Sequence, residues 1–401
     1  MSTTRLSTDR STFLVVALAF ASFVVLGFPA GMLGIAWPSI RDQFMLSQDR
    51  VGALLLASQI GYIISSFLSG RLATAIGNGR LLTIGALLAG LGLLGYAVAP
   101  VWTVMVGIGM LIGFGGGALD SGMNAFFAMN FGPRLMNWLH ASFGLGSTLG
   151  PILLTALLVG GLSWRWGYVT AAVAQGAIAV AFLLTRSRWR TTDVTEAEER
   201  PAANATGKPN NREATQFDVV LGILVFFFIA GLEMTAGQWS FTLFTESRNV
   251  DLAAAGTWVS IYWGSFTAGR VFFGIFGNRF SVSVSLRVSM LALLLASAMI
   301  WWPFSPWISF VGLAIMGFGL APLFPLLISA TPARLGRQRA AHVIGYQVGA
   351  ASLGIAILPW LAGYMAEVWS LEIVGPFLLV CCGVMLGLYE WMERRSGRHA
   401  V

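Results

Sequence analysis

Apolar runs of about 20 residues, separated by short polar or Gly- and Pro-marked stretches, recur along the whole chain. A helix of that length crosses a ~30 Å hydrocarbon core. The pattern predicts twelve such helices, near 13–37, 51–75, 81–99, 101–129, 135–160, 166–186, 218–243, 252–277, 282–303, 307–330, 341–366 and 373–392. Between the sixth and seventh lies a stretch of another kind, Arg186 to Asp218, polar and of mixed charge, which holds the chain's only lysine, Lys208. Its composition reads as a disordered linker. The expected organisation is an N-terminal six-helix bundle (1–186), a cytoplasmic linker (187–216) and a C-terminal six-helix bundle (217–401). The sequon at Asn204 would then lie on the inner face, away from glycosylation.

Composition strengthens the membrane assignment. The 401 residues are 56% hydrophobic and only 10% charged, and mean hydropathy is +0.76; soluble domains carry roughly a quarter charged residues. The formal charge of +7 would suit a nucleic-acid partner if it were clustered. With both termini cytoplasmic, however, only Arg41, Arg50, Arg165 and Arg248 fall on the outer side, and the other 20 of 24 basic residues fall inside. This is the positive-inside distribution of a multi-pass protein of the cell membrane, with no nucleic-acid role. The first span follows Arg5 and Arg10, as a signal peptide would, but is too long and lacks a small-residue cleavage site. Cys381 and Cys382 are helix neighbours that point apart, and no haem, zinc or iron–sulfur spacing is present, so no cofactor is expected.

The two halves repeat one another. Gly70-Arg71 at the end of span two matches Gly269-Arg270 at the end of span eight, and Gly77-Asn78 matches Gly277-Asn278 with one residue inserted. "GFGGG" at 113–117 matches "GFGLA" at 317–321, and the same offset of 204 pairs Gly150 with Gly354. Matches in the same order at nearly one offset mark a duplicated six-helix unit. Parallel repeats of this kind build transporters whose solute site lies near the bilayer midplane, between the halves.

Among seventeen acidic residues, Asp120 and Glu233 lie deep within spans. Asp120 is nine residues from Met129, ~14 Å from the inner boundary, and Glu233 is fourteen from Val219, ~21 Å in, at 1.5 Å per residue. An acid there costs about 2.5–3.5 kcal/mol on insertion scales and normally faces a cavity or a partner. Both are proton-coupling candidates; the bland alternative is a carboxyl neutralised by a packing hydrogen bond. Asn124 shares the Asp120 face one turn on, and Asn137 and His140 share a face of span five. His140 could relay a proton, bind a solute hydroxyl, or be a satisfied interfacial histidine. Trp239, in "GLEMTAGQW", and Trp263, in "SIYWGSFTAGR", could floor a sugar site or simply pack between helices, whereas Trp164, Trp166, Trp301, Trp302 and Trp307 suit the interfacial belt. Gln59, Gln238 and Gln347 are further polar candidates.

At these residues the chain resembles the major facilitator superfamily, and within it the fucose–galactose–glucose proton symporters. The resemblance rests on Asp120 with Asn124 in span four, Asn137 with His140 in span five, Gly231-Leu232-Glu233-Met234-Thr235 in span seven, and Tyr262-Trp263-Gly264 followed by Gly269-Arg270 in span eight. It implies proton-coupled symport of a sugar or similar polyhydroxylated solute by a monomer. Asp120, His140 and Glu233 would handle the proton. Asn124, Asn137, Gln238, Trp239, Tyr262, Trp263 and Gln347 would line the solute site, and Arg71, Arg80, Arg270 and Arg279 would serve inner gating. In the loop after span two, Thr74 and Asn78 replace the family's Asp and Arg, and span one has no acid, which leaves Asp120 as the main coupling candidate. "GSTLGP" (146–151) fits part of an element found in drug/proton antiporters and motivates the alternative of lipophilic efflux. Neither a nucleophile–base pair nor a soluble output domain is present, which argues against an enzyme or a sensor.

Overall fold

The computed structural model describes residues 9–189, 216–335 and 337–398. They form thirteen α-helices and no strand: α1 (Asp9–Phe44), α2 (Val51–Ile76), α3 (Asn78–Val98), α4 (Trp102–Asn130), α5 (Pro133–Val159), α6 (Arg165–Thr185), α7 (Gln216–Thr242), α8 (Leu252–Phe276), α9 (Val282–Trp301), α10 (Pro306–Leu320), α11 (Leu323–Leu335), α12 (Arg337–Val368) and α13 (Val374–Arg398). Helices α10 and α11 together make one crossing, so twelve crossings are arranged as two pseudo-symmetric six-helix bundles, in agreement with the class expected from the sequence. The linker expected at 187–216 falls almost wholly outside the described residues, as do Asn204 and Lys208.

Two of the predicted spans differ in outline, and a third is unusual in composition. Helix α1 does not stop at residue 37 but runs to Phe44, through Pro29 and Pro38. The tenth span, expected as one helix over 307–330, breaks at Ala321-Pro322; a proline inside a helix removes one backbone donor and clashes with the carbonyl four residues back, here that of Phe318. Among the described residues, eleven segments are both long and apolar enough to cross a membrane, and α8 is not one of them. It has the length, at 25 residues, but it spends its interior positions on Ser260, Tyr262, Trp263, Ser265, Thr267 and Arg270.

Packing repeats between the bundles. Helix α1 lies on α5, α2 on α4 and α3 on α6; equivalently α7 lies on α12, α8 on α10 and α9 on α13. Lipid gives no hydrophobic drive between helices, so close backbone approach at small residues takes its place. Gly146 and Gly150 of α5 sit directly against the main-chain carbonyls of Val24 and Phe28 on α1, where any Cβ would collide. Gly354 of α12 sits likewise against Phe227 of α7. The glycine–proline element of span five is thus fully used in seating α5 on α1, since Pro151 itself packs against Gly31.

The bundles meet most tightly at the end away from Asp9 and Arg398, here termed the distal end. Arg41 of α1 makes a bidentate pair with Glu246 beyond α7, at 2.9 and 3.1 Å. The Gln48 main-chain N–H donates to Glu367 of α12 at 2.8 Å, and its side chain reaches Glu246 at 3.4 Å. Beneath this, α1 and α7 touch backbone to backbone: a Cβ on Gly34 would lie 2.5 Å from the Gly237 carbonyl oxygen. Arg248 ties down the distal end of the second bundle through Glu372 at 2.7 Å and the Ile300 carbonyl at 2.8 Å. Arg165 does the same for the first through the carbonyls of Ala97 and Ala99. At the opposite, terminal end the ion pairs Arg287–Glu390, Arg334–Glu393 and Arg395–Asp218 all stay within the second bundle. Among the described residues, no hydrogen bond or ion pair joins the bundles there.

Candidate functional site

Two polar clusters lie inside the spans, one on each bundle. The first centres on Asp120 of α4, which is half-buried. Its carboxylate accepts from the Tyr62 hydroxyl of α2 at 2.6 Å and from the Asn124 amide, one turn along α4, at 3.1 Å. Tyr62 was not singled out by the sequence pattern. Its placement follows from the seating of α2 on α4: Gly113 and Gly117 lie against the backbone of Ser58 and Tyr62, which brings the phenol to the carboxylate. The remaining Asn124 oxygen is buried without a partner.

The second cluster belongs to α7 and α8. Glu233 is half-buried and its main-chain carbonyl accepts from the Tyr262 hydroxyl at 2.7 Å. Its carboxylate has no hydrogen-bond partner among the described residues, but lies within the field of Arg270. The Arg270 guanidinium folds back along α8 and stands 4.3 Å over the Phe266 ring. Phe266 packs in turn against Trp263, with ring centroids 6.0 Å apart. Trp263, Phe266 and Arg270 thus form one stripe at helical spacing. Close by, the Trp263 indole N–H and both polar atoms of the Gln238 side chain are buried without partners.

His140 joins the two clusters. Its ring stands edge-on to Phe23 of α1, with centroids 5.9 Å apart. It lies in the field of Asp120 on its own bundle and of Arg270 on the other. One turn away, Gly144 of α5 packs against Thr267 of α8, so His140 and Arg270 lie on packed helices of opposite bundles, within each other's field.

The remaining candidates sit elsewhere. Trp239 is fully buried, with its indole N–H donating to the Pro359 carbonyl at 2.9 Å; its ring packs between α7 and α12 and presents no face to a cavity. Tyr262 is also fully buried. Gln347 of α12 accepts from Thr331 of α11 at 3.2 Å and touches Gly222 near the terminal end of α7. Asn137, Arg71, Arg80 and Arg279 are exposed near the terminal end, Arg279 with its guanidinium over Phe276 at 5.4 Å. Of the four arginines proposed for gating, only Arg270 reaches the interior cluster. Sequence reasoning missed the cross-bundle lock of Arg41, Gln48, Glu246 and Glu367, whose residues look like ordinary loop charges until the fold brings them together.

This geometry can hold a proton at a framed carboxylate, move it through an imidazole, and offer charged and neutral hydrogen-bonding groups to a small solute. Among the described residues no group of His, Cys, Asp or Glu is arranged to hold a metal ion.

Comparison with known proteins agrees with this architecture. A family model described as Major Facilitator Superfamily matches residues 18–359, with a further match over 221–399. The 3-(3-hydroxy-phenyl)propionate transporter of Escherichia coli (strain K12) is 26% identical over 97% of this chain and 96% of its own length. The glucose/mannose transporter GlcP of Bacillus subtilis (strain 168) is 21% identical over 90% of this chain and 88% of its own. The crystal structure of the transporter FucP in the outward conformation superposes with a TM-score of 0.62 at 16% identity, covering 96% of this chain and 99% of FucP.

Proposed function

The chain belongs to the major facilitator superfamily, and from that premise we propose that it is a proton-coupled symporter of a sugar or similar polyhydroxylated small solute, working by alternating access. That it is a multi-pass transporter and not an enzyme follows from the family; the coupling ion and the solute are our reading. The observation that carries it is Asp120, a carboxyl set inside a span and framed by Tyr62 and Asn124. An intramembrane acid of this kind is expensive unless it serves a pathway. GlcP, named for glucose and mannose, supports the solute class. With both termini in the cytoplasm of the cell membrane, closure at the distal end makes the present arrangement inward-facing. His140 passes the proton between Asp120 and the second cluster, and Asn124, Gln238 and Trp263 meet solute hydroxyls. Exposed Asn137 and buried Gln347, both near the terminal end, stand along the inner approach, and Arg71, Arg80 and Arg279 close that approach when the transporter faces outward. The protein functions as a monomer.

The test uses proteoliposomes with an imposed inward proton gradient and labelled glucose, mannose and gluconate. Uphill accumulation that collapses in Asp120→Asn, while solute-for-solute exchange persists, is the expected result. Accumulation unchanged in Asp120→Asn, or driven only by sodium, refutes the assignment.

A further inference from the structure

An arginine inside a membrane span is costly, stays charged at all accessible pH values, and is therefore normally paired. In this protein Arg41, Arg165, Arg248, Arg334 and Arg395 are half-buried, and every one donates to a carboxylate or a main-chain carbonyl. Arg270 is half-buried too, yet among the described residues its N–H groups have no acceptor: the face of Phe266 lies against it, and Glu233 is near enough to be felt but forms no ion pair with it. It does not snorkel: the terminal end of α8 is six residues away, within reach of an extended arginine side chain, but the guanidinium turns back toward the bilayer interior. There the groups around it are rich in free donors. The Trp263 N–H and the Gln238 amide are unpartnered; Trp263 lies up the stripe from Arg270, and Gln238 follows Gly237 of α7, against which the Trp263 ring packs.

We propose that Arg270 anchors an anionic group of the transported solute, which is a small hydroxylated carboxylate. The inference rests on the transport reading above and assigns the solute class to that same site. The guanidinium fork grips the carboxylate in the two-point geometry that suits it. The Phe266 and Trp263 rings carry the carbon skeleton, and the Gln238 amide and Trp263 N–H meet its hydroxyls. The E. coli relative named for 3-(3-hydroxy-phenyl)propionate is named for a molecule of this class.

Charge balance ties the anion to the proton. The ionisable groups about the site are Tyr62 on α2, Asp120 on α4, His140 on α5, Glu233 on α7, and Tyr262 and Arg270 on α8. With both carboxyls ionised and His140 and the tyrosines neutral, the empty site carries one net negative charge and repels an anion. One proton taken up at Asp120, Glu233 or His140 removes that charge. Solute and proton then enter together, and carboxylate binding tightens as pH falls, whereas a neutral solute lacks this dependence.

Two matched pairs of probes test the proposal on the full chain in nanodiscs: gluconate against glucose, and 3-(3-hydroxyphenyl)propionate against its primary amide. Dissociation constants are read from tryptophan fluorescence at about pH 5.5 and 7.5. In at least one pair the acid is expected to bind roughly 10- to 150-fold tighter than its neutral partner, the range for hydrogen bonds to a charged group. That preference weakens by up to about tenfold per pH unit on raising pH, as uptake of one proton requires. It disappears in Arg270→Gln and survives in part in Arg270→Lys, with thermal unfolding confirming that both variants fold. Should Arg270→Gln not fold, the wild-type acid-to-neutral ratio and its pH slope still decide. Equal or tighter binding of both neutral partners, failure of both acids to bind, or a preference that persists in Arg270→Gln overturns the proposal. Asp120-dependent accumulation of glucose with no acid preference would remove the anion anchor and leave the symporter standing. An Arg270-dependent acid that binds but is not driven by the proton gradient would do the reverse.

Discussion

The two bundles share their packing and not their chemistry. Gly150 against Phe28 in one is matched by Gly354 against Phe227 in the other. Matched positions bearing charge have diverged. Span two carries Phe67 and Arg71 four residues apart, and span eight carries Phe266 and Arg270 at the same spacing. Phe67 is 83% exposed and Arg71 is exposed beside it, whereas Phe266 is 1% exposed and holds Arg270 over its face. Likewise, the first bundle puts its acid on α4 with two hydrogen-bond donors, and the second puts its acid on α7 with none. Helix packing tolerates little change, because a Cβ in the wrong place collides with backbone. A side chain facing the interior is free to vary. The self-satisfied cluster is suited to hold a proton, and the unsatisfied one to hold a ligand.

The strongest way to break this contrast is to remove Glu233, the acid whose charge Arg270 senses among the described residues. Glu233→Gln leaves the Arg270 charge uncompensated inside a span, where an arginine costs about 2.5–3.5 kcal/mol on insertion scales. A clear fall in unfolding temperature is expected. Arg270→Gln in the same chain should restore part of it, giving a coupling energy of about 1–3 kcal/mol in a double-mutant cycle. Additive losses would mean that the two residues do not sense each other, and the second cluster would cease to be a unit.

A smaller effect sharpens the comparison between the two tyrosines. Tyr62 donates to a carboxylate and Tyr262 to a main-chain carbonyl. Hydrogen bonds to charged groups contribute about 1.5–3 kcal/mol and neutral ones about 0.5–1.5. Tyr62→Phe should therefore cost more stability than Tyr262→Phe and should also weaken proton-driven accumulation, since it removes a donor from the coupling carboxylate. Tyr262→Phe should lower stability slightly and leave accumulation in place. Equal losses of accumulation in both variants would show that Asp120 does not set the coupling.

Much of this was legible in the chain. The spans and the repeat follow from hydropathy and glycine placement, and both intramembrane acids stand out because charge is so rare here. What stayed hidden depends on partners from distant segments. Tyr62 carries no charge and sits in an ordinary apolar run, so only the seating of α2 on α4 reveals it. Trp239 and Trp263 look alike in sequence, yet one is spent on the Pro359 carbonyl while the other keeps a free N–H. Pro322 lies in a run apolar enough to read as one helix, and its break shows only where the backbone is followed through it. Arg41 and Glu246 each lie at the end of a span, where polarity is unremarked, and 205 residues separate them.

That last pair supports the mildest prediction, which compares the distal end of the molecule with the terminal one. The Arg41 and Glu246 side chains are 17% and 29% exposed, so solvent screens their attraction and the pair is worth about 1 kcal/mol at most. Alternating access needs a lock of this small size, because a stronger one would trap the bundles in one state. Arg41→Gln should shift the balance toward distal opening by about fivefold, as 1 kcal/mol implies. Hydrogen exchange would then quicken in the distal halves of α1 and α7, where Gly34 meets Gly237, while α5 and α12 near the terminal end stay unchanged. The charge swap Arg41→Glu with Glu246→Arg should restore slow exchange. Asp42 lies 2.9 Å from Arg41 and would gain a like-charged neighbour in the swap, so restoration should be incomplete. Full protection in Arg41→Gln would assign closure to the backbone contact at Gly34 and Gly237 alone, and the lock would then lie in shape and not in charge.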